Sequence, residues 1–239
     1  MKANTLSNLS NLINKMIVYN LRIIFANKFI WFLAGSVLFY LGLSVIYVFA
    51  NDVSRMNDLW GVFLFSGLLL VFYPTVFGIQ NDQDARTLEI LFGIPNYRYK
   101  VWLVRIVLIF ILAFIIMLLF TFLSSILIVE FRILKVTLQL MVPVLFMGTL
   151  AFMLSTVVRN GNGTAVIVII IGLIYLMLID SSLGKSQWNI FLNPFDTPYG
   201  INETSWALIS FKNRIILITG SVVFLLAALL NLQKREKFM

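Results

Sequence analysis

A chain of 239 residues that is 61% hydrophobic and only 12% charged, with 22 phenylalanines, is too apolar for a soluble domain and reads as an integral membrane protein. It contains no cysteine and no histidine, which excludes disulfides, thiolate metal sites and the commonest general base and metal ligand. Its formal charge of +8, from 18 basic and 10 acidic residues, is judged by where the charges fall along the chain.

The first element is amphipathic. Leu9, Leu12, Ile13, Met16 and Ile17 recur at helical spacing against Asn8, Asn11, Asn14 and Lys15. Residues 1–28 therefore read as a cytoplasmic helix on the membrane face, either a passive anchor or a contact for a cytoplasmic partner. The stretch is too polar to span, and it lacks the short apolar core and cleavage site of a signal peptide.

From residue 29 onward the chain reads as one transmembrane domain. A hydrocarbon core of about 30 Å takes about 20 apolar residues as helix. Six segments qualify: 29–50, 59–79, 101–129, 134–158, 164–179 and 215–232. The fifth is short and is followed by Asp180, so it either extends to Leu183 or continues as a broken helix. With both termini inside, twelve basic and four acidic residues lie on the inner side, a net of +8. Six basic and six acidic residues lie outside, a net of zero. The basic balance is the positive-inside pattern and a contact with anionic lipid, and it does not indicate nucleic-acid binding.

Between the second and third spans stands the charge-dense stretch "DARTLEILFGIPNYRYK", 84–100. Asp82 and Asp84 suit a helix N-terminus, Gly93 a C-terminal cap, and Pro95 forbids continuation. Leu88, Leu91 and Phe92 share one face at i, i+3, i+4. The result is a helix of at most three turns with one apolar and one charged face. On its residues alone it is either a re-entry turn on the headgroups or a docking element.

Its order resembles the coupling segment of ATP-binding-cassette export permeases of the type-2 family. Thr87, Leu88, Glu89, Leu91, Pro95 and Arg98 match that pattern, Arg86 stands where the family usually has glycine, and Asp82 or Asp84 stands for the upstream acid. The resemblance implies an all-helical, six-span permease half of an exporter in a prokaryotic inner membrane. It implies a second permease half, identical or paralogous, and two ATPase subunits, with ATP and magnesium bound by those subunits. The segment Thr87–Pro95, with Phe92 on its apolar face, would be the coupling helix. It implies short re-entrant helices capping the exit before the sixth span, and a central path lined by Phe72, Tyr73, Phe77 and Tyr175. Those aromatics otherwise read as packing or lipid-facing.

The chain itself has no G-x-x-x-x-G-K-[ST] loop, so it is not expected to be an enzyme and needs no cofactor of its own. "RNGNGT", 159–164, reads as a tight cytoplasmic turn. The region 181–213 holds "WNIFLNPFDTPYG" and "SWALISF". Trp188, Pro194 and Trp206 there belong either to an interfacial aromatic belt or to the re-entrant exit cap.

Few ionisable groups fall within spans. Arg105, one turn into the third span, is expected to snorkel to the inner surface. Asp180 is either solvated or lines an exit. Gln139 and Thr149 are placed to bond a neighbouring helix. No line of charges crosses the membrane, which argues against an ion path and toward amphiphilic cargo. An intramembrane enzyme would need convergent catalytic groups that the sequence lacks. A non-exporting membrane subunit, such as a cytochrome-biogenesis permease-like component or an ATPase-recruiting helper, is the alternative reading.

Overall fold

The computed structural model describes residues 28–49, 56–84, 98–177 and 184–233. The segments 1–27 and 85–97, with the amphipathic N-terminal helix and Thr87, Leu88, Glu89, Leu91, Phe92 and Pro95, lie outside the described residues. What is described is helical, with turns between the helices and no strand. The elements are α1 (Phe29–Phe49), α2 (Met56–Val76), α3 (Gly78–Asp84), a π-helical stretch (Arg98–Leu103) that runs into α4 (Val104–Leu127), α5 (Ile133–Val158), α6 (Gly161–Met177) and α7 (Glu203–Asn231).

Among the described residues five helical stretches are long and apolar enough to cross a membrane: Phe29–Phe49, Leu59–Asp84, Val101–Leu127, Ile133–Val158 and Glu203–Asn231. The fifth expected span appears as Gly161–Met177, 17 residues long among the described ones. At 1.5 Å per residue that is about 26 Å of helix, just short of the hydrocarbon thickness.

Leu59–Asp84 and Ile133–Val158 are buried over 67% and 61% of their apolar windows, against 22–33% for the other three long stretches. They are the inner pair of the bundle. α5 is the hub, packed against α2, α4, α6 and most extensively α7, while α1 lies against α2. Large exposed side chains on the outer helices, such as Leu38, Ile126, Ile170 and Leu226, present the apolar surface that lipid requires.

Polar side chains act as rivets between apolar helices. Ser36 Oγ on α1 donates to the Ser66 carbonyl at 2.9 Å. Tyr40 stacks on Phe120 at 4.2 Å between centroids, and its hydroxyl lies 2.9 Å from Ser124 Oγ. Thr121 and Thr137 join α4 to α5 hydroxyl to hydroxyl at 2.7 Å. In hydrocarbon there is no water to compete for these groups, so such bonds help to fix register.

Three expected boundaries are corrected. The helix of the second expected span runs past residue 79. Pro74 lies in α2 and a bend falls at Phe77, yet Phe77 N–H still bonds the Tyr73 carbonyl and Asn81 N–H the Phe77 carbonyl, both at 2.9 Å. α3 therefore continues the bonded ladder to Asp84.

The α5–α6 turn is not six residues but two, Arg159 and Asn160. Arg159 takes the left-handed conformation (φ 57°) that ends α5, and Asn160 Oδ1 accepts from Gly163 N–H at 3.1 Å as an N-cap for α6.

The last helix begins at Glu203, twelve residues before the expected start, so "SWALISF" is the first part of α7 and not a separate re-entrant helix. No proline or glycine interrupts 203–219, and the polar trio Lys212-Asn213-Arg214, which reads as a water-facing boundary, lies inside the helix. The residues before it, 184–202, form a strap of turns.

Candidate functional site

Two polar clusters sit at opposite ends of the bundle. One end carries the close of α3, the start of α4 and the α5–α6 turn. The other carries the start of α2 and of α7 with the strap.

At the first end Arg105 does not snorkel. It is buried, 4% exposed, and its Nη1 lies 2.6 Å from Asp82 Oδ2. The guanidinium carbon lies 4.7 Å from the Trp102 ring centre, and Trp102 is itself 1% exposed. Snorkelling is what an arginine does when lipid or water is its only neighbour. Here α3 brings a carboxylate to it, and the pair resolves both buried charges. Among the described residues Arg105 Nε and Nη2 have no hydrogen-bond partner, and Asp82 is the acceptor that meets this cation.

Gln80, on the same short helix, accepts from Gly161 N–H at 2.5 Å. A methyl group at Gly161 would meet Phe77 and Gln80, so glycine is what lets α6 start this close to α3. Asn231 Nδ2 reaches Thr156 Oγ1 at 3.3 Å and ties the end of α7 to α5 at the same level. The flanks of 85–97 are thus pinned by an ion pair between α3 and α4. Arg98, the C-terminal residue of the motif, is described and opens the π-helical stretch that runs into α4.

The aromatic residues expected along a path fall beside α1. Tyr73 is buried and stacks on Phe32 at 5.0 Å and on Phe77 at 5.3 Å, while Phe72 meets the same Phe32 at 6.0 Å. The Tyr73 hydroxyl accepts from Asn81 Nδ2 at 3.1 Å. These three form one cluster. Tyr175 is half-buried near the end of α6, beyond the last buried residue of that helix, Val168.

The opposite end is built on Arg214 and Asn213 of α7, both buried. Arg214 Nε donates to Gln139 Oε1 of α5 at 2.7 Å, Nη1 to Asn213 Oδ1 at 2.9 Å and Nη2 to the Leu192 carbonyl at 3.2 Å. Asn213 Nδ2 donates to the carbonyls of Gln187 (2.9 Å) and Asn189 (2.8 Å). Trp60 of α2 donates through Nε1 to the Phe191 carbonyl at 3.3 Å, and its ring lies 5.8 Å from the Arg214 guanidinium. Lys135 Nζ stands 5.7 Å from the Phe195 ring.

Four carbonyls of the strap, which has no helical ladder of its own, are met by donors from α2 and α7 in this way. Within the strap, Asn189 and Asn193 side chains accept from the N–H groups of Phe191 and Phe195, each at 3.0 Å. That is the Asx-turn geometry that tightens a chain without regular structure.

The exit-cap residues separate. Trp188 is exposed and Pro194 half-buried on the strap, whereas Trp206 is buried on α7. The expected helix-to-helix role of Gln139 is met at Arg214. Thr149 instead bonds back to the Leu145 and Phe146 carbonyls of its own helix. Asn213, Arg214 and Trp60 are the residues that sequence reasoning passed over. The usable signal is the spacing 206, 210, 214, 217, 221, an unbroken helical stripe of which every member is buried. Asp180 lies outside the described residues. Among the described residues no group of three or more carboxylates could hold a metal ion.

Comparison of the chain with protein-family models, with curated proteins and with solved structures finds no match.

Proposed function

We propose that this protein is the membrane-spanning half of an ATP-driven exporter of the type-2 ATP-binding-cassette kind. On this reading a second permease half completes the path, two separate ATPase subunits bind ATP and magnesium, and the segment 84–95 is the coupling element. Gly161–Met177 completes six spans, with both termini on the cytoplasmic side of a prokaryotic inner membrane.

The observation that carries the reading is the buried Asp82–Arg105 pair. A coupling element transmits force only if its mounts are stiff. An ion pair at 2.6 Å between the helices on either side of 85–97 makes the end of α3 and the start of α4 move together. A lipid-resting turn has no use for so costly a mount. The residues between supply the rest: an apolar stripe of Leu88, Leu91 and Phe92 beside Glu89 suits a groove with a polar rim.

Burial of one leucine contributes about 1.5–3 kcal/mol and a rim charge pair about 0.2–1 kcal/mol, so the apolar stripe should dominate docking. The test is recovery of ATP-hydrolysing activity with affinity-tagged chain from native membranes. Leu91→Asp should lose the ATPase, because it places an unpaired charge in an apolar groove. Glu89→Ala should retain it while weakening the coupling of hydrolysis to transport. Full retention by Leu91→Asp would overturn the proposal.

A further inference from the structure

Along the buried stripe of α7, one turn apart, stand Trp206, Ser210 and Arg214, 4%, 7% and 7% exposed. Trp206 Nε1 and Ser210 Oγ are both buried without a hydrogen-bond partner among the described residues. Arg214 has its three nitrogens bonded, but only to neutral acceptors, and no salt bridge reaches it among the described residues. Two polar groups and one cation, spread over eight residues or about 12 Å of helix, therefore lack what they are built to bind. Unsatisfied buried donors and uncompensated buried cations are each costly, and they rarely persist without a partner.

The chemistry of the missing partner follows from the row. The indole and the guanidinium can only donate, and the hydroxyl can donate or accept. The partner is therefore rich in acceptor oxygens and anionic at the Arg214 end. Below Arg214 the same helix exposes Ile215, Ile218, Val222 and Val223 to the bilayer side. An anion with an apolar tail fits that order, with oxygens against 206–214 and hydrocarbon along 215–223. We infer that this stripe binds the head group of an anionic phosphodiester lipid. The phosphate would sit at Arg214, and the head-group hydroxyls would lie toward Ser210 and Trp206. A phosphate adds opposite charge and paired oxygens that suit the guanidinium fork, so it competes with the neutral oxygens of Leu192 and Gln139 for Arg214. The strap yields to admit it, because its attachment at this end runs through the Asn213 and Arg214 side chains and Trp60. The inference stands apart from the exporter reading, since it concerns the bilayer and not cargo or ATPase.

The test is thermal unfolding of the full chain in an uncharged detergent, titrated separately with dioctanoyl phosphatidylglycerol, dioctanoylglycerol and sodium phosphate. At a hundredfold excess over Kd the phosphatidylglycerol should raise Tm by roughly 5–10 °C. Dioctanoylglycerol, which has the tails without the anion, should leave it unchanged. A rise with both identifies the phosphate as the group recognised, a rise with the lipid alone identifies the whole head group, and a rise with sodium phosphate alone overturns the lipid assignment.

Ser210→Ala should unfold at or above the wild-type temperature without lipid, because it removes an unsatisfied hydroxyl, yet lose at least half of the lipid-induced rise. Trp206→Phe should lose a similar part. Arg214→Gln should abolish the rise, and Ser210→Ala keeps the test valid if that variant fails to fold. The inference is overturned if phosphatidylglycerol does not move wild-type Tm, if dioctanoylglycerol moves it equally, or if Ser210→Ala responds as wild type does.

Discussion

Arg105 and Asp82 meet at 2.6 Å inside the bundle, 23 residues apart in sequence, and each is almost wholly removed from solvent. Removing one partner leaves the other charge buried and unpaired, at a cost of about 3–5 kcal/mol, whereas replacing both with apolar residues is often neutral or stabilising. Asp82→Asn should therefore lower the unfolding free energy by about that amount. The double variant Asp82→Leu/Arg105→Met should recover most of it. Circular dichroism of thermal unfolding in detergent reads both. If the double variant is as unstable as the single one, packing and not charge pairing holds this end together. On the exporter reading the double variant should be stable and yet poorly coupled, which separates fold from function.

Close helix approach makes a second, independent prediction. A Cβ on Gly67 would lie 2.9 Å from Val144 Cγ2 and 3.1 Å from Met117 Sδ, at the meeting of α2, α4 and α5. A Cβ on Gly35 of α1 would meet nothing within 4 Å. Gly67→Ala should cost about 1–3 kcal/mol by overpacking. Gly35→Ala should be neutral or stabilising by several tenths of a kcal/mol, since alanine is the better helix former. Equal effects at the two sites, read as shifts in Tm, would contradict the packing of α2 on α5.

The sequence alone makes most of this bundle readable, because apolar length is a strong signal. The fourth span is expected at 134–158, and a helix lies at Ile133–Val158, framed by Arg132 and Arg159. The first is expected at 29–50, and a helix lies at Phe29–Phe49. The start of the last helix is not readable in this way. Lys212, Asn213 and Arg214 in a row look like a water-facing loop, and only strap carbonyls and Gln139, brought in by tertiary packing, let two of them stay inside a helix. The same limit hides Asp82–Arg105: each residue is visible as a charge near a span end, but nothing local names its partner. Gly161 shows the converse. Its glycine suggests a loop, whereas it starts a helix that must pass close to Phe77 and Gln80.

Sidedness is open to labelling, since the native chain has no cysteine. Asn160 lies in the α5–α6 turn at the Asp82 end, and Asn202 precedes α7 at the strap end. On the exporter reading, with its positive-inside charge pattern, the first faces the cytoplasm. Single cysteines at Asn160 and Asn96 should react with an impermeant maleimide only in inverted vesicles, and those at Asn202 and Asn57 only in intact cells. Reaction of Asn96→Cys in intact cells would break the six-span arrangement. Reaction of Asn160→Cys and Asn202→Cys from the same side would contradict the crossing of the bundle itself.

The strap supplies the last prediction. Asn213 alone gives two of the four hydrogen bonds by which helix side chains hold its carbonyls, and it also accepts from Arg214 Nη1. Asn213→Ala therefore leaves the Gln187 and Asn189 carbonyls without that donor and loosens the Arg214 fork. Each lost bond is worth about 0.5–1.5 kcal/mol, so two together favour the detached strap by about 1–3 kcal/mol, a factor of roughly 5 to 150 in its population. Leu192 is 1% exposed with the strap seated, and a cysteine there reports detachment directly. Maleimide reaction at Leu192→Cys should accelerate by that factor in the Asn213→Ala background. Trp188→Ala is the control: the side chain is 58% exposed and should leave the rate within about twofold, because surface changes away from such contacts stay within about 0.5 kcal/mol. Bundle stability should fall far less than strap retention, since α7 keeps its apolar packing on α5 through Leu217 and Ala228. If Leu192→Cys reacts at the same slow rate in both backgrounds, the strap is held by its buried apolar residues, Ile190, Phe191 and Leu192, and Asn213 does not latch it. If it accelerates and transport changes with it, the strap is a moving part, and the exit-cap reading of Pro194 and Trp206 gains a mechanism: release of carbonyls from two adjacent residues of α7.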